Sequence, residues 1–184
     1  MVNKGWLLCI GLATVFIVEV SSQDCGQLST WLQQANQANL EVLKGKMAST
    51  IPQQCLDDVV SFSPKENLRN IDISEEENVK VAIQEVLQQT GHIFKQNNTE
   101  MPWDEDSLRV FHAGLDQQSE NLKSCLSASP RSQRIQLTRL RVKRYFRSLS
   151  DLLKEKEYSR CAWEIIQIQV KECFLWIEKL IQMI

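Results

Sequence analysis

Thiols, imidazoles and one glycosylation sequon are the side chains here whose types and spacing could do chemistry. Cysteines stand at Cys9, Cys25, Cys55, Cys125, Cys161 and Cys173, and the only histidines are His92 and His112. A cysteine can attack a substrate, hold a metal or form a disulfide. Attack needs a base within hydrogen-bonding reach, and acid–base work needs positioned groups in a cleft. Two isolated histidines and carboxylates spread over polar helix faces predict no such constellation, so an extracellular enzyme is not expected. The sequence holds no Cys-x-x-Cys pair, which argues against zinc, and no cofactor is expected. Disulfide formation is the chemistry left, and it needs an oxidising compartment.

The N-terminus predicts that compartment. Lys4 supplies a basic start, and Gly5 to Val18 is a mostly apolar, uncharged stretch of 14 residues. Val20 and Ser22 fit the small-residue rule for cleavage before Gln23. Residues 1–22 therefore read as a signal peptide and 23–184 as one secreted domain. No apolar run reaches the roughly 18 residues of a membrane span, so membrane insertion is not expected. Cys9 leaves with the signal, and five cysteines remain. An odd number leaves one thiol over, with the pairing of the others open. Asn97-Asn98-Thr99 is an N-glycosylation acceptor, assigned to Asn97.

Helices must position these groups, because apolar spacing is helical nearly throughout and strand-like alternation is not apparent. Leu28, Trp31, Leu32, Ala35, Val42 and Leu43 mark a helix near 26–46. Val79, Ala82, Ile83, Val86, Leu87, Ile93 and Phe94 mark one near 74–95, and Ser74 with Glu77 has the spacing of a capping box. Leu108, Phe111, Leu115 and Leu122 mark a third, opened by the acids Asp104, Glu105 and Asp106. Ile135, Val142, Phe146, Leu149 and Leu153 mark a fourth near 132–156, and Ala162 to Ile184 forms the last. Residues 47–73, with Pro52 and Pro64, show no helical period and read as a long structureless crossover. Such a link can return along a whole helix, which allows the helices it joins to run parallel. The link around Ser129-Pro130 is short and predicts antiparallel neighbours. Long helices with one long crossover are the pattern of a secreted cytokine bundle. Cys25, Cys55, Cys125 and Cys161 fall at element ends or in loops, where a bridge can tie separated segments. Cys173 falls on the apolar stripe of the last helix and reads as a buried free thiol.

Two surfaces stand out. Residues 24–130 carry 8 basic and 16 acidic side chains, whereas 131–160 carry 10 basic and 3 acidic. Arg139, Lys143, Arg147 and Lys154 share about 80° of the fourth helix, with Arg141 and Arg144 on its outer side. This is an electrostatic docking surface, or a solvated face. The formal net charge of −2 and the lack of a nucleic-acid motif predict no nucleic-acid partner. The last helix has more apolar residues than one stripe holds. With the wheel centred on Val170, the side chains of Ile165, Ile168, Leu175, Trp176 and Met183 lie more than about 100° away. They form either a partner-binding face anchored by Trp176 or a face buried under another element.

Tyr145-Phe146, Leu153-Lys154-Glu155-Lys156, Tyr158-Ser159 and above all Cys161-Ala162-Trp163-Glu164 resemble the C-terminal signature of type I interferons. Cys25, Cys55 before Leu56, Cys125 and Cys161 match that family's four-cysteine pattern, and Phe174 falls where the family also has phenylalanine. The resemblance implies bridges Cys25–Cys125 and Cys55–Cys161. It implies an all-α, up-up-down-down four-helix cytokine bundle with an additional fifth helix, here the fourth in sequence, and a long first crossover loop. It implies a monomeric secreted cytokine that joins the two chains of a cell-surface receptor and triggers antiviral signalling. The residues implied in receptor binding are Leu56 and Val59 in the loop and Lys143, Arg144 and Arg147 on the fourth helix. On the last helix they are Gln167, Ile168, Lys171, Glu172, Leu175 and Trp176. Val59 falls where many members have arginine, and Glu172 replaces a common base, which would reverse a charge preference. Gln167 also replaces arginine, which implies a fit to the receptor of its own species. Another helical cytokine, of type III interferon or growth-hormone kind, is the alternative. The Cys-Ala-Trp-Glu segment argues against both. A helical carrier of small apolar ligands would need an internal cavity.

Overall fold

The computed structural model describes residues 25–48, 50–97, 99–127 and 132–184. Cys9, the expected signal peptide over 1–22, its cleavage point, Asn98 and Ser129-Pro130 lie outside those residues. Among the described residues there are six α-helices and no strand: α1 (Leu28–Lys44), α2 (Leu56–Ser61), α3 (Glu76–Phe94), α4 (Glu105–Ser124), α5 (Gln133–Glu155) and α6 (Arg160–Ile181).

The five long helices lie where apolar periodicity puts them, and three start on side-chain caps. Asp104 accepts the Ser107 amide at 2.8 Å and the Ser107 hydroxyl at 2.7 Å. Those bonds hold its carboxyl below the ordinary range. Ser132 and Ser159 cap α5 and α6 in the same manner. The capping box expected at Ser74 and Glu77 does not form. Glu75 is the N-cap and makes no side-chain cap bond. The Ser74 hydroxyl accepts from Arg134 of α5 at 3.0 Å, and the Glu77 carboxylate accepts the Ser127 amide at 2.8 Å. Tertiary links have claimed both side chains.

The crossover also differs from expectation. It contains α2 and two 3₁₀ turns, Gln53–Cys55 and Leu68–Asn70. A six-residue helix is too short to show periodicity. Its signal is Pro52 before it and Asp57 and Asp58 in its first turn, at the positive end of the helix dipole.

Side-chain links set the helix directions. Ser29 reaches Ile181, Asn36 reaches Phe174 and Gln167 reaches Leu43, so α1 and α6 run antiparallel. The Cys25–Cys125 bridge and Asn39–Gln118 set α1 antiparallel to α4. Gln84–Ser119 and the Phe94–Phe111 ring contact do the same for α3 and α4. Thus α1 and α3 run up, and α4 and α6 run down. Glu75–Arg134, Glu85–Lys143 and Gln96–Ser150 place α5 parallel to α3 as the additional helix. An aromatic group of Phe94, Trp103, Phe111, Trp163 and Phe174 fills one end of the core, with centroids 5.3–6.3 Å apart.

Disulfides join Cys25 to Cys125 and Cys55 to Cys161, closing loops of separation 100 and 106. Bridges over loops this long each contribute roughly 2–4 kcal/mol. Cys173 is a buried free thiol, and burial pushes its pKa up to about 12. The native protein is therefore expected to resist alkylation at Cys173 and to label there only once unfolded, as peptide mass mapping would show.

Two helical glycines make opposite predictions. A Cβ on Gly114 would clash with Asn39 Oδ1, whose side chain is buried and bonded to Gln118 at 2.8 Å. A Cβ on Gly91 meets nothing within 4 Å. Gly91→Ala is expected to stabilise by up to about 1 kcal/mol. Gly114→Ala is expected to destabilise by about 1–3 kcal/mol, because it displaces a packed polar pair. Thermal unfolding of the two variants checks the sign of each.

Candidate functional site

The last helix has a buried half and a covered half. Val170, Cys173, Phe174 and Ile177 face the bundle, as their spacing requires. The other apolar side is not free. Ile165 is buried, and Trp176 is only 7% exposed. Ser63, Pro64, Leu68 and Tyr145 line the same crevice as Trp176, so a strap of the crossover covers it. Burial under another element is the reading that holds for Trp176. The partner-facing anchor expected there is corrected: the indole fills the space between α6 and the strap. Ile168 and Leu175 are half-buried, and only Met183 of that set is exposed. A helix apolar on most sides belongs in an interior.

What remains accessible on this side comes from two elements. Leu56 and Val60 stand one helical turn apart on α2, and Val60 is 85% exposed. Val59 between them turns inward and packs against the core. Gln167 donates to the Leu43 carbonyl at 2.9 Å, which ties part of its side chain to α1. Lys171 is half-buried. Glu172 is ion-paired with Arg69 at 2.6 Å. The acid at 172 therefore arrives with a base beside it, and the charge reversal expected of that position is offset. Val60 and Arg69 were not legible as site residues. The i, i+4 spacing of Leu56 and Val60 is the one signal that points to the first.

The second surface lies on α5. Lys143, Arg144 and Arg147 are exposed, and Lys143 stands 3.8 Å from the buried carboxylate of Glu85 on α3. Leu137 and Leu140, also exposed, add apolar area to this surface. Arg141 does not share it. Expected on the outer side, it is turned inward to Glu66 of the crossover, with contacts of 3.0 and 2.6 Å from its Nε and Nη2. Asn97 is exposed in the link between α3 and α4, and its Oδ1 accepts the Thr99 amide at 3.1 Å. The histidines stand apart from both surfaces. His92 is exposed on α3, and partial burial together with Lys95 lowers the pKa of His112.

Helix order and bridge topology describe a disulfide-linked helical bundle, and relatives of known kind decide which. An interferon alpha/beta domain matches residues 28–184. The chain belongs to the interferon alpha/beta family. It is 30% identical to interferon kappa of Homo sapiens, a match covering 91% of this chain and 88% of that protein. It is 28% identical to interferon beta of Equus caballus, over 90% of this chain and 89% of the relative. Zebrafish interferon 1 superposes with a TM-score of 0.63 at 21% identity, covering 85% of this chain and 98% of that structure. Zebrafish interferon 2 gives 0.68 at 16% identity, over 80% and 97%. At those identities the two structures speak for the fold alone. The molecule is thus a type I interferon-like cytokine.

In this interferon the burial of Trp176 changes what its removal should do. Trp176→Ala is expected to cost about 3–5 kcal/mol of stability, through the cavity left under the strap. Denaturant unfolding would show this as a lowered midpoint before any binding is measured.

Proposed function

We propose that this interferon is a secreted monomer that joins two different chains of a cell-surface receptor and so starts antiviral signalling. Residues 1–22 serve as its signal peptide, 23–184 form the secreted domain, and Asn97 carries a glycan. The observation that carries the reading is the presence of two separate accessible surfaces on one bridged bundle. One joins α2 to α6 through Leu56, Val60, Ile168, Lys171, Glu172 and Arg69. The other is the basic face of α5 with Lys143, Arg144 and Arg147. Val59, Gln167, Leu175 and Trp176 support the first surface from beneath rather than touch a partner broadly.

The mechanism needs binding free energy and no catalysis. One surface captures the first receptor chain. Confinement to the membrane then raises the effective concentration of the second chain, so a weak contact at α5 suffices. Positive charge on α5 mainly sets association rate and partner choice, and its effect weakens with salt.

Arg144 and Arg147 make no ion pair among the described residues, so reversing them tests the surface without breaking an internal contact. Arg144→Glu with Arg147→Glu is expected to lower signalling in same-species cells about tenfold or more while capture by the first chain stays within about twofold. Equal loss of both, or of neither, would overturn the division of labour. Adding the purified chain to cells that lack one receptor chain tests the reading as a whole: antiviral gene induction should vanish.

A further inference from the structure

Arg141 lies in the sequence of the α5 surface but works on the other one. We infer that Arg141 is a positioning residue that clamps the crossover strap over α6, and so shapes the α2–α6 receptor surface from the far side. This rests on the two-surface reading proposed above.

The geometry is that of a clamp. Arg141 donates from Nε and Nη2 to Glu66 Oε1, and from Nη1 to the Asn70 carbonyl at 3.0 Å. One guanidinium thus holds both ends of the segment 66–70. The two side chains are 24% and 16% exposed, which makes this the most enclosed ion pair on the strap. The strap's other charged ties are more open: Arg69–Glu172 is 61% and 42% exposed, and Lys156–Asp58 is 37% and 32%. Exposed pairs hold weakly, whereas a half-buried pair held by several bonds is costlier to break. A backbone bond from Lys65 to Ser148 at 3.2 Å adds a second anchor on α5.

What the clamp holds in place bears on the partner surface. Pro64, Leu68 and Arg69 stand beside Trp176 and Glu172. Arg69 pairs with Glu172 only while residues 66–70 keep their place. Releasing Arg141 lets that segment lift, separates the Arg69–Glu172 pair and uncovers the indole. The α2–α6 surface would then change although none of its own residues had been altered. The planar guanidinium matters to this, since its spaced nitrogens hold Glu66 and the Asn70 carbonyl together, a span that the single nitrogen of an ammonium does not reproduce.

The amides of Asn70 and Ile71 bond to the Asn67 and Leu68 carbonyls at 3.1 Å, so their hydrogen exchange reports on the strap. In Arg141→Gln and Arg141→Lys these amides should exchange about tenfold faster, with α1 and α4 unchanged. Capture by the chain that uses the α2–α6 surface should weaken about fivefold or more, while binding of the α5-face chain stays within about twofold. Adding Glu66→Gln to Arg141→Gln should cost little further, because the single change has already broken the pair. Unchanged exchange at Asn70 and Ile71 would overturn the clamp. So would faster exchange with unchanged capture, or equal loss of both chains. If the wild-type interferon binds neither receptor chain, the receptor reading has failed, and exchange alone decides the clamp.

Discussion

A helix with more apolar side chains than one stripe holds must be covered on more than one side. α6 is that helix, and its enclosure organises the molecule. Its first apolar face is met by α1 and α3. The second is met by the crossover, tethered by the Cys55–Cys161 bridge at the start of α6 and by side chains of α5 further along. The bridge alone fixes one end of a segment that must travel on to α3. The fork from Arg141 and the Arg69–Glu172 pair bring the remainder down onto Trp176. Removing that cover exposes a large indole to water, at a cost of about 2–3 kcal/mol against a domain margin of roughly 5–15 kcal/mol.

The outline of the bundle was legible because long amphipathic helices declare themselves. Val79 to Phe94 and Ile135 to Leu153 repeat often enough for period 3.6 to stand out, and Asp104 marks its own helix start. α2 was not legible, since six residues hold fewer than two turns. The capping box at Ser74 had the right residues at the right spacing. It failed because Arg134 and Ser127, distant in sequence, compete for the same oxygens. The cysteine pairing followed from family resemblance and not from spacing, which left the partners open.

The candidate surfaces were half legible for the same reason. A helical wheel gives direction from the helix axis but says nothing of what lies beyond. It placed Trp176 and Ile168 on one side correctly, yet only the strap determines that the indole is inside. It placed Arg141 beside Arg144, and both do leave α5 on neighbouring sides. One meets a carboxylate at 2.6 Å and the other meets solvent. Val60 and Arg69 belong to elements that the sequence does not announce, so their exposure had to be seen.

The two disulfides interleave: each closes across the other's span, and each takes its second cysteine from the latter part of the chain. Cys125 follows four of the six helices, and Cys161 opens the last. During synthesis neither native crosslink can close while only the N-terminal half has left the ribosome. Cys25 and Cys55 must wait as thiols, able to pair wrongly with each other, until α4 and then α6 emerge. Cys173 follows within the same helix as Cys161 and must be packed away before it competes. Correct oxidation of this protein is therefore a late event, its first bridge waiting for the end of α4 and its second for the start of α6.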